Sequence, residues 1–144
     1  MLKRLRRRLA VRRRLDGVRG ALQPADLAAF LDVARQSFVR VQQAWDRADL
    51  AALSQVATGP LLEELRAQLA ERGPLPNHTE VIRIEARLLG VEAVREAQVA
   101  SVEFSGLIRE EAGARARPFR ELWMLARLQD AEPGWRVARV QALS

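Results

Sequence analysis

The spacing of apolar residues after residue 24 predicts three amphipathic helices. In the first helix, over about residues 24–46, apolar residues recur at intervals of three and four and so share one face; they are Leu27, Phe30, Ala34, Phe38, Val41 and Trp45. Asp49 is a suitable N-cap for a second helix over about 49–56. Pro60 suits the start of a third over about 60–72, and Gly73 its end.

After the third helix the apolar period falls to about 2, which predicts strands. Apolar and charged residues alternate from Ile82 to Leu88, and apolar and polar residues alternate around Val102 and Phe104. Two further runs cover about residues 118–128 and 135–143, separated by a turn that contains Pro-Gly. Three helices followed by four strands with short connections predict an α+β domain, with helices packed on a four-stranded antiparallel sheet.

The third predicted strand has two faces of similar character. One face carries Arg120, Leu122, Met124, Ala126 and Leu128, and the other carries Glu121, Trp123 and Arg127. We favour Leu122 and Met124 as the buried face, which makes Glu121 and Arg127 a solvent-facing charged pair. The alternative is that Glu121 is an internal acid beside a tryptophan and marks a ligand site.

Length and composition fit one soluble domain. The chain has 144 residues, of which 49% are hydrophobic and 29% charged, and no apolar run approaches the roughly 18 residues that cross a bilayer. Cysteine is absent, which excludes disulfides, thiolate metal sites and cysteine nucleophiles.

The net charge of +6 is concentrated at the N-terminus. Residues 1–20 hold one acid and nine of the 24 basic residues, a net charge of +8, so the other 15 basic and 17 acidic residues sum to −2. The basic residues are Lys3, Arg4, Arg6, Arg7, Arg8, Arg12, Arg13, Arg14 and Arg19. We therefore divide the chain into a basic arm, residues 1–23, and an α+β domain, residues 24–144.

So many like charges in one short segment indicate a polyanionic partner. Anionic membrane lipid and RNA, notably ribosomal RNA, both fit this charge. The arm also carries aliphatic residues, among them Leu5, Leu9 and Leu15, and no aromatic residue. Aliphatic groups gain from burial at a lipid interface, whereas RNA recognition more often uses aromatic stacking, so we favour lipid and keep RNA as the alternative.

Several short motifs in the domain resemble one known family. They are Phe30-Leu31, Ala44-Trp45-Asp46, Asp49-Leu50, Glu121-Leu122-Trp123 and Gly134-Trp135. In their order and spacing, over roughly residues 24–144, they resemble the Tim-forty-four-like domain family, which includes the C-terminal domain of the mitochondrial import-motor tether and bacterial relatives.

The resemblance implies a cone-shaped fold related to nuclear transport factor two, with an apolar pocket between the helices and a curved sheet. Phe38, Trp45, Phe104 and Trp123 are the candidates to line that pocket, although packing residues are their commoner role. It also implies a peripheral tether or assembly factor at the inner membrane, on the cytoplasmic face in bacteria, that binds an unidentified protein partner or a lipid tail.

Catalytic and metal chemistry find little support in the sequence. His78 is the only histidine, in a Pro-Asn loop that favours a solvated side chain, and the chain has no tyrosine. Isomerases of the cone fold usually combine an acid or histidine with a tyrosine or second acid, so an isomerase-type enzyme is the less favoured alternative. No phosphate-binding glycine motif occurs. We expect a non-enzymatic protein without metal or cofactor.

Overall fold

The computed structural model describes residues 24–73, 77–111, 113–128 and 134–143. Within these ranges the chain forms three α-helices followed by four β-strands. The helices are α1 (Pro24–Asp46), α2 (Leu50–Val56) and α3 (Gly59–Arg72), and the strands are β1 (Glu80–Val94), β2 (Ala97–Arg109), β3 (Arg117–Leu128) and β4 (Arg136–Ala142). The predicted α+β architecture is confirmed, while the basic arm and its boundary at residue 23 lie outside the described residues.

Local sequence explains where the helices begin and end. The Asp49 carboxylate accepts a hydrogen bond from the Ala52 backbone N–H at 3.0 Å, so it caps α2 as predicted. Proline follows directly after the first residue of α3, where a missing N–H costs nothing. Gly73 ends α3 with a φ of 86°, a conformation that glycine adopts without strain.

The four strands form one antiparallel meander in the order β1-β2-β3-β4. Strands β1 and β2 extend further than the alternating pattern predicted, and they meet in a tight turn at Arg95 and Glu96. Arg95 has a φ of 56° at this turn. The sheet therefore has two edges, formed by β1 and β4.

The core lies between the helices and one face of the sheet, here called the inner face. Strand β2 contributes Ala100, Val102 and Phe104, which share the inner face because alternate residues of a strand point to the same side. All three are fully buried. From α1, Phe38 and Val41 reach the same core. Further core residues come from α2, α3 and the two edge strands, including Leu53, Leu65, Val91 and Val137.

The predicted orientation of β3 is wrong. Trp123 and Leu125 are fully buried in the core, and Glu121 is 1% exposed on the same inner face. Leu122 is also buried, but it lies on the opposite, outer face, with Met124 half-buried beside it. The register explains the difference, because Phe104 and Val102 of the central strand pair with Glu121 and Trp123.

Arg127 does not form the predicted charged pair with Glu121. Its guanidinium lies over the Trp135 ring, 4.8 Å from the centroid, and donates to Gln98 Oε1 at 2.7 Å. The ring of Trp135 in turn contacts Phe30, with centroids 5.0 Å apart. Arg127 therefore covers the end of the core, while Glu121 lies inside it.

Candidate functional site

Four aromatic rings form a cluster in the interior, between α1 and the sheet. The Phe38 ring lies 4.9 Å from Phe104, 4.9 Å from Trp123 and 5.3 Å from Phe119, measured between ring centroids. Phe104 and Trp123 also contact each other edge to face at 5.3 Å. These are the separations at which aromatic pairs are favourable, so Phe38 joins α1 to strands β2 and β3.

A carboxylate lies within this aromatic interior. The Trp123 indole Nε1 donates a hydrogen bond to Glu121 Oε1 at 2.8 Å, and both side chains are almost wholly buried. Glu121 alternates on β3 between Phe119 and Trp123, two members of the ring cluster. A buried carboxylate requires hydrogen bonding of this kind, because removing an ionised group from water is costly.

Gln42 brings a second polar group into the buried surface of α1. It lies one helical turn after Phe38 and is 1% exposed. Neither atom of its side-chain amide has a hydrogen-bond partner among the described residues. The interior thus combines closely packed rings with a buried carboxylate and a buried amide.

Trp45 lies apart from the other three pocket candidates. Within the described part of the chain its ring contacts Arg72, whose guanidinium carbon is 5.5 Å from the ring centroid. Arg72 also donates to the Trp45 carbonyl at 2.5 Å, and the adjacent Asp46 carboxylate accepts from Thr79 N and Thr79 Oγ1 at 2.6 and 2.9 Å. Trp45 therefore belongs to a junction that holds the ends of α1 and α3 against the start of β1.

The outer face of the sheet carries a three-residue ion cluster. Glu103 of β2 accepts from Arg87 Nη2 at 2.6 Å and from Arg120 Nε at 2.5 Å. Its side chain is 12% exposed, and hydrogen bonding to Arg87 lowers the pKa of the Glu103 carboxyl despite the opposing effect of burial. The cluster joins three neighbouring strands on the side away from the helices.

The remaining predictions concern His78, metal binding, membrane-spanning helices and the basic arm. His78 is exposed in the loop before β1, in agreement with a solvated side chain. Among the residues that the structure describes, no group of three acids or histidines is arranged to hold a metal ion. None of the described helices combines the length and hydropathy of a membrane-spanning segment. The nine basic residues proposed to bind a polyanion all lie outside the described ranges.

The sequence prediction placed Glu121 wrongly and missed two other residues of this site. The prediction put Glu121 on the same face of β3 as Trp123 but favoured that face as the solvent-facing one, with an internal Glu121 as the alternative. It gave no indication that Gln42 is buried, because a glutamine at the border of an apolar helical stripe usually reaches solvent. Phe119 was also missed as a member of the ring cluster, because its face of β3 was expected to lie in solvent.

Fold and interior together define an α+β domain, a helix-covered antiparallel sheet with an aromatic core. The model of the Tim44-like domain matches residues 14–142, which is most of the chain. The chain therefore belongs to the Tim44-like domain family, as the sequence motifs predicted. The match begins ten residues before α1 and so includes the end of the basic arm.

Two solved structures are similar to this chain in overall shape. One is a nuclear transport factor 2-like superfamily protein from Salmonella enterica serovar Typhimurium, with a TM-score of 0.45, 10% identity and coverage of 82% of this chain and 92% of that one. The other is a ketosteroid isomerase-like protein from Erwinia carotovora atroseptica, with a TM-score of 0.44, 15% identity and coverage of 76% and 93%. No curated protein matches the chain.

Proposed function

We propose that this protein is a non-enzymatic, peripheral membrane tether or assembly factor, whose basic arm binds anionic lipid and whose α+β domain binds a protein partner. The observation that carries the proposal is the charge division, +8 in residues 1–20 against −2 in the remainder. Membership in the Tim44-like family supports it. The expected location is the inner membrane, on its cytoplasmic face in a bacterial cell.

The arm's charge is large enough to support binding. A basic residue near an anionic bilayer contributes on the order of 1 kcal/mol. The effect is screened over a Debye length of about 8 Å at physiological salt, so only residues held close to the surface contribute fully. Even a few of the nine basic residues in contact would favour the bound state.

The aliphatic residues of the arm favour lipid over RNA as its partner. Leu5, Leu9 and Leu15 can enter the interface between head groups and acyl chains, where burial of apolar area adds to the electrostatic attraction. RNA phosphates would gain nothing from these side chains. A ribosome or RNA tether is therefore the second candidate, supported by the same charge but not by the leucines.

The close packing of the interior favours a protein partner over a lipid tail as the ligand of the domain. Phe38, Phe104 and Trp123 already pack on one another at ring separations of 4.9 to 5.3 Å. An acyl chain would have to separate these rings and approach the buried carboxylate of Glu121. Both changes oppose binding, because the methylene groups of a lipid tail cannot replace the indole hydrogen bond to Glu121.

Glu121 is the main candidate for a catalytic acid or base, because it is an acid inside an apolar interior. A general acid or base must come within hydrogen-bond reach of its substrate. Glu121 is 1% exposed and already accepts from Trp123, an arrangement that suits a fixed structural carboxylate. We therefore propose that the protein has no catalytic activity.

Co-sedimentation of the full chain with liposomes tests the proposal. We expect capture by vesicles rich in phosphatidylglycerol or cardiolipin, no capture by phosphatidylcholine vesicles, and release in about 1 M salt, where the Debye length is about 3 Å. Replacing six arginines of the arm by glutamine should abolish capture. These are Arg6, Arg7, Arg8, Arg12, Arg13 and Arg14.

A matched variant controls for net charge. It replaces six exposed arginines of the domain by glutamine and so removes the same charge while leaving the arm intact: Arg40, Arg83, Arg95, Arg115, Arg117 and Arg139. We expect this variant to bind anionic liposomes like the unmodified chain. Equal loss of binding in both variants would show that total charge, and not the arm, determines capture.

A further inference from the structure

Strand β1 is a long edge of the sheet. It runs for 15 residues and pairs with β2 on one side, and among the described residues no strand pairs with it on the other. In the described part of the chain, none of the backbone hydrogen bonds made outside helices and strands reaches residues 80–94. An edge of this length presents a row of backbone N–H and C=O groups that can pair with another strand.

The other edge of the sheet is covered by the chain itself. Ala57, between α2 and α3, forms a bridge with Val137 of β4, and the Thr58 N–H donates to the Val137 carbonyl at 2.9 Å. Arg136 adds a hydrogen bond to the Ser54 carbonyl at 2.8 Å. Within the described ranges the fold therefore covers β4, and β1 is the edge at which a strand can be added.

Two irregularities limit the part of β1 that can accept a strand. The register with β2 shifts between Val81 and Arg83 and again between Leu88 and Gly90. Such bulges bend a strand and interrupt its pairing. The regular stretch between them is Arg83 to Leu88, whose inner-face residues Ile84, Ala86 and Leu88 are only half-buried.

This stretch is complementary to itself in one antiparallel register. If two copies pair about a two-fold axis at Ala86, Glu85 of each copy faces Arg87 of the other, and Ile84 faces Leu88. An axis at Glu85 would instead place Arg83 opposite Arg87, so two like charges would face each other. An axis at Ile84 would require pairing by Ile82, which lies at the first register shift. Charge, apolar pairing and strand regularity therefore favour the axis at Ala86.

Arg87 can serve both partners in this arrangement. It contacts Glu103 of its own chain through Nε and Nη2, and its side chain is 70% exposed. A guanidinium has five N–H donors, so it can bind a second carboxylate on its outer side. Glu85 is exposed on the same face of β1 as Arg87. In the proposed register it lies directly opposite Arg87 of the other copy, at the separation of paired residues in neighbouring strands.

We propose that β1 is a homodimer interface, at which two copies of this chain pair antiparallel about Ala86 and join their sheets. The interface is isologous, as expected for a two-fold symmetric pair. Because the regular pairing involves only residues 84–88 of each copy, the dimer should be weak and should dissociate on dilution.

Light scattering after size exclusion tests the proposal on the full chain. At about 0.5 mM, a concentration suited to a weak interface, we expect an average mass approaching twice 16.2 kDa, falling to 16.2 kDa on dilution. Glu85→Arg should weaken association at least about tenfold, because it places arginine opposite Arg87. Glu85→Gln, which removes the charge without adding a repulsive one, should weaken association less than Glu85→Arg, whereas Glu96→Arg, in the β1–β2 turn, should have no effect.

Single cysteines test the register, since the chain contains no other cysteine. A short bismaleimide should link Ala86→Cys into a covalent dimer. Ala93→Cys should not be linked, because seven residues of strand, about 23 Å, separate position 93 from the axis in each copy. A monomer at 0.5 mM, equal cross-linking of both variants, or association left unchanged by Glu85→Arg would each overturn the proposal. None of these results bears on binding to liposomes.

Discussion

Replacing Phe38 by alanine removes the ring that joins α1 to the sheet. Phe38 is 0% exposed and contacts three other rings at 4.9 to 5.3 Å. A buried Phe→Ala change costs about 3–5 kcal/mol, from lost transfer free energy and the cavity that remains. Each aromatic pair adds about 0.5–1.5 kcal/mol, so we expect the upper part of that range. Urea unfolding followed by tryptophan fluorescence measures the loss.

The total stability of a small domain is about 5–15 kcal/mol, so Phe38→Ala could leave too little folded protein to measure. Phe38→Leu keeps most of the volume and should cost about 1–2 kcal/mol. Met124→Ala serves as the control on the outer face, where the side chain is half-buried, and should cost less than Phe38→Ala by about 2 kcal/mol or more. Equal losses at positions 38 and 124 would refute the assignment of the inner face.

Gly106→Ala should lower the free energy of unfolding by about 2 kcal/mol or more, because a Cβ there would lie 1.9 Å from the Arg83 carbonyl oxygen. Urea unfolding measures the loss, and Gly59→Ala is the control because the space around Gly59 is open. Arg72→Ala should cost about 1–2 kcal/mol through lost contacts with the Trp45 and Asp46 carbonyls, whereas Arg66→Ala should cost less than about 0.5 kcal/mol. Glu103 has a pKa lowered from 4.5, so it stabilises the fold above that pH and loses this contribution as the pH falls through its folded pKa. The unfolding free energy of Glu103→Gln should therefore change less than that of the unmodified chain over this acid range.

The helices could be predicted because their signals are local. The three- and four-residue spacing of α1 and the Asp49 cap of α2 depend on neighbouring residues only, and the structure agrees with both. The lengths of β1 and β2 were harder to predict. The turn at Arg95 and Glu96 contains no glycine, proline or asparagine, so the usual sign of a hairpin is missing.

The orientation of β3 could not be decided from its own residues. Phe119, Trp123 and Leu125 on one face have nearly the same apolar character as Leu122 and Met124 on the other. Pairing with Phe104 decides between them, because that residue brings Glu121 and Trp123 to the helix side of the sheet. This is information about register, which depends on contacts between distant parts of the chain.

Competition between lipid and RNA tests the central functional claim most directly. The full chain is mixed at one physiological salt concentration with phosphatidylglycerol-rich liposomes and with ribosomal RNA, and the fraction bound to each is measured by sedimentation. We predict that the liposomes retain most of the protein, and that replacing Leu5, Leu9 and Leu15 by serine lowers this fraction clearly without changing RNA binding. A preference of the unmodified chain for RNA would contradict the membrane proposal and favour a ribosome tether.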